Sequence, residues 1–143
     1  MNEFLAAGYK KDLVLAAVEA RKYAYAPYSK FAVGAALQTQ SGRIYTGCNI
    51  ESASYSPTIC AERTAVFKAV SEGYKSFRSI AIIGGKMGEG SRICPPCGVC
   101  LQVLLEFCDP DTFEVLLSQE DFHTRSYLLS ELIPEGFRPE RVL

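Results

Sequence analysis

Two short stretches of the sequence place cysteines and a glutamate at spacings suited to metal chemistry. In the first, Cys60 and Glu62 flank a single alanine, and the second contains Cys97 and Cys100. A catalytic zinc ion takes three protein ligands and leaves its fourth tetrahedral position open for water. The three cysteines supply that number of ligands. The pattern therefore predicts an open zinc site made by Cys60, Cys97 and Cys100.

Glu62 is the predicted proton carrier of this site. Zinc lowers the pKa of a bound water toward about 7, and a neighbouring carboxylate can take the proton of that water. Each cysteine stretch precedes apolar residues at helical spacing, so we expect each at the start of a helix. There the unpaired backbone N–H groups and the helix dipole favour a thiolate over a thiol.

The elements that must position these residues follow from hydrophobic periodicity. Helices are predicted over 10–25, 58–72 and 97–107 and in a short segment before Pro134, and strands over 31–37, 43–48, 79–83, 113–117 and, more weakly, 122–127. We expect the first two strands to form a hairpin. This order fits a sheet of four or five strands with helices on both faces.

Three residues or pairs mark expected element ends. Thr58 is the expected N-cap of the second helix and Gly73 its C-terminal cap. The pair Gly84-Gly85 is expected to end the third strand.

Composition indicates one globular domain over residues 1–143 with no nucleic-acid footprint. The chain is 48% hydrophobic and 22% charged, and a chain of this length buries roughly 68–70% of its unfolded surface. Its 15 basic and 16 acidic residues give a net charge of −1 without a long basic cluster, which argues against binding to a phosphate backbone. No apolar run reaches the length of a membrane span, and no signal peptide is evident, so we expect a cytoplasmic protein without membrane partners. In a reducing compartment, metal binding or burial explains six cysteines better than disulfides.

The two cysteine stretches, Cys-Ala-Glu-Arg and Pro-Cys-Gly-Val-Cys, resemble the metal motif of the cytidine deaminases, and within them the small three-cysteine type. Segments 26–37, 47–51 and 131–137 are similar to other landmarks of that family. The resemblance implies a three-layer α/β/α fold with a mixed sheet of four to five strands and a Zn²⁺ cofactor. It also implies hydrolytic deamination of the nucleosides cytidine and deoxycytidine to uridine and deoxyuridine, a reaction of pyrimidine salvage.

The resemblance further implies the residues that bind the nucleoside. Asn49 and Glu51 would hold the ribose hydroxyls, and Phe31 would line the pocket. Ala61 and Cys97 would offer backbone groups near the base.

Other residues are implied to act around the site. Phe137 and Tyr55 would reach the site of a neighbouring subunit, which implies a homotetramer with shared active sites. Arg63 and Gln102 would support the site from outside the ligand set, Arg63 through hydrogen bonds to the thiolates. Leu101 stands where the family commonly has arginine, which leaves Arg63 as the cation for the sulfurs.

Two alternatives remain open at the level of sequence. Cys94 lies three positions before Cys97 and would turn the set into a closed structural zinc module if it were a fourth ligand. Pro95-Pro96 is expected to carry Cys94 away from the metal, and Cys48 and Cys108 are more simply explained as buried apolar residues. A deaminase could also act on a modified nucleoside, a nucleoside-like drug or a nucleic-acid base.

Overall fold

The computed structural model describes residues 2–143, which fold around a six-stranded mixed sheet. The strands are β1 Asn2–Leu5, β2 Phe31–Thr39, β3 Ile44–Cys48, β4 Phe77–Lys86, β5 Glu114–Ser118 and β6 His123–Leu128. The helices are α1 Tyr9–Arg21, α2 Ala61–Ser71, α3 Gly98–Phe107 and α4 Leu129–Leu132, followed by a 3₁₀ turn at Pro139–Arg141. The strand order is β1-β6-β5-β4-β2-β3, in which β4 and β5 are parallel and the other neighbours antiparallel.

Helices cover both faces of this sheet. Adjacent residues of β2 belong to different apolar clusters, because successive side chains of a strand point to opposite faces. Leu37 is buried with Val66 of α2 and Leu104 of α3, whereas Ala36 is buried with Val14 of α1. The three-layer α/β/α fold expected from the resemblance is therefore confirmed, as is the hairpin of β2 and β3.

The sheet has six strands where four or five were expected. The additional strand is β1, which pairs antiparallel with β6 from Asn2↔Ser126 to Leu5↔His123. Four residues carry too little periodicity to predict a strand, and what holds β1 in place is a partner distant in sequence.

Three expected element ends were wrong. The helix α1 ends at Arg21 and not near residue 25. The helix α2 begins after Cys60, whose extended backbone makes it the N-cap, and not after Thr58. The Thr58 hydroxyl instead accepts a hydrogen bond from the backbone N–H of Ser52 at 3.1 Å, inside the preceding loop. Strand β4 continues through Gly84 and ends only at Lys86. The expected end at Gly73 is confirmed, since α2 stops just before it.

Gly84 has a packing role rather than a chain-ending one. A Cβ atom added to Gly84 would lie 2.8 Å from the Cys94 sulfur, so the missing side chain makes room for Cys94 against the sheet. The Arg92 N–H also donates to the Gly84 carbonyl at 2.7 Å. These contacts guide the loop that leads to Cys97.

Across the described residues, each helix is too short or too polar to pass through a lipid bilayer.

Candidate active site

The three predicted ligand cysteines meet where α2 and α3 begin. Cys60 and Cys97 are the N-cap residues of these two helices, and Cys100 lies in the first turn of α3. Their sulfur atoms all lie within 4.8 Å of one another, and the Cys60–Cys97 distance is 3.9 Å. A tetrahedral zinc with Zn–S bonds of about 2.3 Å holds its sulfurs about 3.8 Å apart. The thiol spacing and the soft donor set therefore fit a zinc ion.

Hydrogen bonds to the sulfurs stabilise thiolate forms in this cluster. The Cys97 sulfur accepts the backbone N–H of Cys100 at 3.5 Å, as expected at a helix start. Arg63 Nη2 donates to the Cys60 sulfur at 3.3 Å. The hydrogen bond from the Cys100 thiol, followed by the contribution of Arg63, lowers the pKa of Cys60 to about 5. The same bond raises the pKa of Cys100, since Cys100 is its donor, so metal binding has to displace that proton.

Arg63 is the cation in contact with the ligand sulfurs. Burial by itself would lower its pKa, but hydrogen bonds to Cys60 and Cys100 outweigh burial and raise it. Leu101, for which the resemblance implies an arginine, is half-buried and packs against the apolar core beneath α2 and α3. One positive charge thus offsets part of the negative charge that three thiolates would bring to a divalent ion.

Glu62 lies in the first turn of α2 with only 4% of its surface exposed. Burial, together with the nearby charge of Cys60, raises the pKa of its carboxyl group to about 7. A carboxyl group with this pKa can both hold and release a proton at neutral pH. Its carboxylate interacts with Cys60 and Cys100 but is not among the candidate ligand atoms that lie within 4.8 Å of one another.

Cys94 stands apart from the sulfur cluster. In residues 2–143, the candidate ligand atoms within 4.8 Å of one another come from the other three cysteines and do not include Cys94. Burial, with smaller contributions from the charges of Glu62 and Cys60, raises the pKa of Cys94 to about 11, so it stays a neutral thiol packed on Gly84. This geometry gives the closed four-cysteine module no support. Cys48 and Cys108 are also free, and burial raises the pKa of each.

The residues implied to bind the sugar gather at the start of β2. The Asn49 side chain donates to the Phe31 carbonyl at 2.7 Å and accepts the Val33 N–H at 2.8 Å, so it extends the pairing of β3 with β2. Each polar atom of the amide retains one further hydrogen-bonding position. Asn49 thus has a structural role that its sequence position did not reveal, beside the predicted one.

Glu51 is fixed by the turn that precedes β2. One carboxylate oxygen accepts the backbone N–H groups of Tyr28 at 3.0 Å and Ser29 at 3.1 Å, and the other accepts the Ser29 hydroxyl. The Ser29 hydroxyl bond is the main cause that lowers the pKa of Glu51. The Glu51 side chain is therefore held as an ionised carboxylate beside the turn that precedes β2.

A cleft of about 390 Å³ adjoins Glu51. Its other lining residues are Tyr28, Ser29, Tyr55 and Thr58. The rings of Tyr28 and Tyr55 meet edge to face at 5.9 Å, and Tyr55 is 70% exposed. The sequence analysis assigned no role to Ser29, although it lies in one of the stretches that carry the family resemblance, and it gave Thr58 only the role of a helix cap.

Gly47 explains how the sugar residues and the thiol cluster come together. A Cβ atom at Gly47 would lie 2.5 Å from the Ala61 carbonyl oxygen and 2.6 Å from the Ala65 nitrogen. The start of α2 therefore packs directly on the backbone of β3. Because Asn49 follows β3 closely and Ala61 adjoins Cys60, this contact places both parts of the site side by side.

The last two predicted residues lie on the outer side of α3. Gln102 Nε2 donates to the Phe137 carbonyl oxygen at 2.6 Å, so Gln102 holds the C-terminal segment and does not touch the sulfurs in any described hydrogen bond. The Phe137 ring is 61% exposed and adjoins Arg138 and Val142 rather than the Glu51 cleft. In one subunit, then, the structure does not bring Phe137 into the cleft.

Comparison with known proteins identifies relatives over most of the chain. Residues 9–115 match a family model described as the cytidine and deoxycytidylate deaminase zinc-binding region. A cytidine deaminase of Sporosarcina psychrophila is 45% identical over 130 residues, which cover 91% of this chain and 92% of the relative. A cytidine deaminase of Halalkalibacterium halodurans is 45% identical over 131 residues, covering 92% and 96%.

Solved structures agree with these sequence matches. The crystal structure of a cytidine deaminase from Burkholderia pseudomallei matches with a TM-score of 0.80 and 44% identity, covering 89% of this chain and 98% of the other. That of a cytidine deaminase from Mycobacterium tuberculosis matches with a TM-score of 0.73 and 37% identity, covering 89% and 95%.

Proposed function

The chain belongs to the cytidine and deoxycytidylate deaminase family, whose members bind zinc, and we propose that it converts cytidine and deoxycytidine to uridine and deoxyuridine. The observation that carries the proposal is the triangle of Cys60, Cys97 and Cys100 sulfurs with the buried Glu62 beside it. Water enters the reaction, and ammonia leaves from C4 of the base. We also propose that residues 1–143 form one catalytic domain, which the continuous six-stranded sheet supports.

In this proposal the three cysteines hold the zinc ion, which when bound acts as a Lewis acid that activates water for attack on C4. Arg63 donates a hydrogen bond to the Cys60 sulfur and so helps to stabilise its thiolate form. Glu62 takes one proton of the attacking water at its carboxylate and gives it to N3 of the base. It then takes the proton of the hydroxyl formed at C4 and gives it to the leaving amine. One carboxylate suffices because it is returned to its starting state within each turnover, and its pKa of about 7 suits both roles.

The remaining predicted residues orient the nucleoside. Glu51 and Asn49 have free hydrogen-bonding positions toward a ribose hydroxyl, and Phe31, whose carbonyl Asn49 holds, forms a wall of the pocket. Ala61, at the first turn of α2 beside Cys60, offers its backbone to the base.

An ultraviolet assay on a nucleoside panel tests the function, because loss of the amino group changes the absorbance of the base. We expect turnover of cytidine and deoxycytidine by zinc-loaded protein and none after chelation of the metal. Turnover confined to a methylated or drug-like analogue would redirect the substrate assignment. Absence of turnover on every member of the panel, with zinc bound, would contradict the function.

Free nucleosides should be better substrates than their 5′-monophosphates. The Glu51 carboxylate would lie next to the sugar, and its negative charge repels a phosphate, although Lys30 brings one positive charge nearby. Screened repulsion of this kind predicts a kcat/KM lower by roughly fivefold to tenfold for cytidine 5′-monophosphate. Equal efficiency with the two substrates at low ionic strength would contradict the placement of Glu51.

We further propose a homotetramer in which each active site receives Phe137 and Tyr55 from a neighbour, with Tyr55 lying at the edge of the Glu51 cleft of its own subunit as well. The exposure of both rings in a single chain, 61% and 70%, supports this proposal because a partner subunit would cover them. The hydrogen bond from Gln102 holds the Phe137 backbone in place for such a contact.

Phe137→Ala should raise KM about tenfold with zinc content unchanged, since stacking of a base on an aromatic ring is worth about 1–3 kcal/mol. Mixing this variant with inactive Glu62→Ala subunits should restore activity, because some sites then combine an intact Glu62 with a neighbour's Phe137. A fully active monomer in sedimentation would contradict the proposal that subunits share active sites. A mixture that gains no activity after demonstrated subunit exchange would also contradict it.

We place the reaction in pyrimidine salvage in the cytoplasm. The six free cysteines fit a reducing compartment, and the balanced charge of 15 basic and 16 acidic residues fits a small nucleoside rather than a nucleic acid as substrate. Fractionation of cells followed by the nucleoside assay checks the location.

A further inference from the structure

The Ser29 hydroxyl lies between two residues predicted to bind the nucleoside. It donates its hydrogen to the Glu51 carboxylate and accepts the backbone N–H of Phe31 at 3.1 Å. These directions are fixed by chemistry, because an ionised carboxylate only accepts and a backbone N–H only donates. One hydroxyl thus links the sugar-binding carboxylate to the first residue of β2.

Ser29 also limits what Glu51 can still bind. A carboxylate offers about four acceptor positions. Three are filled, by the backbone N–H groups of Tyr28 and Ser29 on one oxygen and by the Ser29 hydroxyl on the other. The position that remains open lies on the oxygen that the Ser29 hydroxyl holds. The direction of that open position therefore depends on Ser29.

The backbone around Ser29 is built for this contact. Lys30, the next residue, has φ 58°, a left-handed conformation that few residues other than glycine adopt. Two hydrogen bonds hold Lys30 there, from its own N–H to the Ala26 carbonyl at 3.0 Å and from the Met87 N–H to its carbonyl at 2.7 Å. This turn brings the Phe31 N–H back to the Ser29 hydroxyl. Such conformations, held by their surroundings, concentrate at functional sites.

We propose that Ser29 is a positioning residue that orients the Glu51 carboxylate so that its one open acceptor position receives the 2′- or 3′-hydroxyl of the ribose. The inference rests on the proposed contact between Glu51 and the sugar. It predicts that Ser29 acts on recognition of the sugar and not on the chemistry at C4.

The test compares cytidine with 2′,3′-dideoxycytidine, which lacks the 2′- and 3′-hydroxyls of the ribose and keeps only the 5′-hydroxyl. Ser29→Ala should raise KM for cytidine about tenfold, the effect of losing a hydrogen bond to a charged group, with kcat changed less than about twofold. With the dideoxynucleoside, kcat/KM should change less than about twofold, because the oriented carboxylate has no 2′- or 3′-hydroxyl to bind. Equal losses on the two substrates, or no loss on cytidine, would overturn the proposal.

Two further serine variants separate positioning from general damage. Ser29→Thr keeps a hydroxyl and should restore most of the affinity for cytidine. Ser41→Ala removes a hydroxyl that forms a hydrogen bond with Thr39 at 2.9 Å in the turn at the far end of β2. It should leave KM and kcat for both substrates unchanged. Failure of threonine to restore any affinity would count against the role of the hydroxyl.

Glu51→Gln distinguishes this proposal from the one on which it rests. If this variant loses affinity for cytidine and for dideoxycytidine equally, Glu51 does not bind the sugar hydroxyls and both proposals fail. If it loses affinity for cytidine alone while Ser29→Ala has no such selectivity, only the role of Ser29 is wrong. In Ser29→Ala/Glu51→Gln, the serine change should add less than about twofold to the loss caused by Glu51→Gln.

Discussion

Glu62→Gln is expected to lower kcat for cytidine by about 10⁴-fold while the protein keeps its zinc and its fold. General acid–base catalysis contributes typically 10²–10⁴-fold, and here one carboxylate serves as both base and acid, which places the loss at the upper end. Glutamine has the same shape as the buried carboxyl group but cannot carry the proton. The measurements are kcat from base absorbance and zinc per chain from elemental analysis.

Glu72→Gln is the matched control for this experiment. Glu72 lies at the opposite end of α2 and accepts a hydrogen bond from the Tyr45 hydroxyl at 3.0 Å, which a glutamine oxygen can also accept. We expect unchanged turnover and zinc content in this variant. Loss of zinc from Glu62→Gln would show that Glu62 is a ligand, and kcat within tenfold of the unmodified protein would show that another group carries the proton.

The metal cluster could be predicted from sequence because its geometry is largely local. Cys97 and Cys100 are one helical turn apart, so a helix that begins at Cys97 brings both sulfurs to its N-terminus. Cys60 and Glu62 share the start of α2 in the same way. Only the meeting of the two helix starts requires the tertiary fold, and the family resemblance supplied it.

The hydrogen bonds that hold Glu51 and Asn49 in place could not be predicted, because they join segments that are distant in the sequence. Glu51 depends on Ser29, and Asn49 depends on backbone groups of Phe31 and Val33. A turn serine and a strand end give no signal of a partner about twenty residues away. Thr58 illustrates the converse: its side chain suits an N-cap, but the loop uses its hydroxyl to bind Ser52, so Cys60 takes the cap position.

The close packing of Cys94 on Gly84 could not be predicted from the sequence either. The pair Gly84-Gly85 suggested a strand end, because glycine interrupts regular structure in the absence of other information. In the fold, Gly84 remains paired with Val33 and provides the space that Cys94 fills. Pairing of Gly84 with Val33 continues β4 beyond the expected end. The space left by the missing side chain of Gly84 holds Cys94 near the site but outside the sulfur cluster.

Removal of single cysteines should divide them into two classes. Cys60→Ala, Cys97→Ala and Cys100→Ala each leave two thiolates for the metal, and we expect zinc content and turnover to fall to a small fraction of normal. Zinc affinity rests on ligand number and tetrahedral geometry, and these three sulfurs supply both. Cys94→Ala should keep zinc close to one per chain and should keep most of the activity.

Burial decides which of these variants is the most informative. Cys100 is fully buried, so its removal also disturbs the core, whereas Cys97 is exposed and its loss cannot be attributed to packing. Cys94→Ala removes one half-buried sulfur from its contact with Gly84, at a cost to folding stability of about 1 kcal/mol. Comparing Cys97→Ala with Cys94→Ala by zinc analysis and thermal unfolding therefore separates metal loss from destabilisation. Zinc released as readily from Cys94→Ala as from Cys97→Ala would mean that four cysteines close the site, which leaves no position for the water that deamination requires.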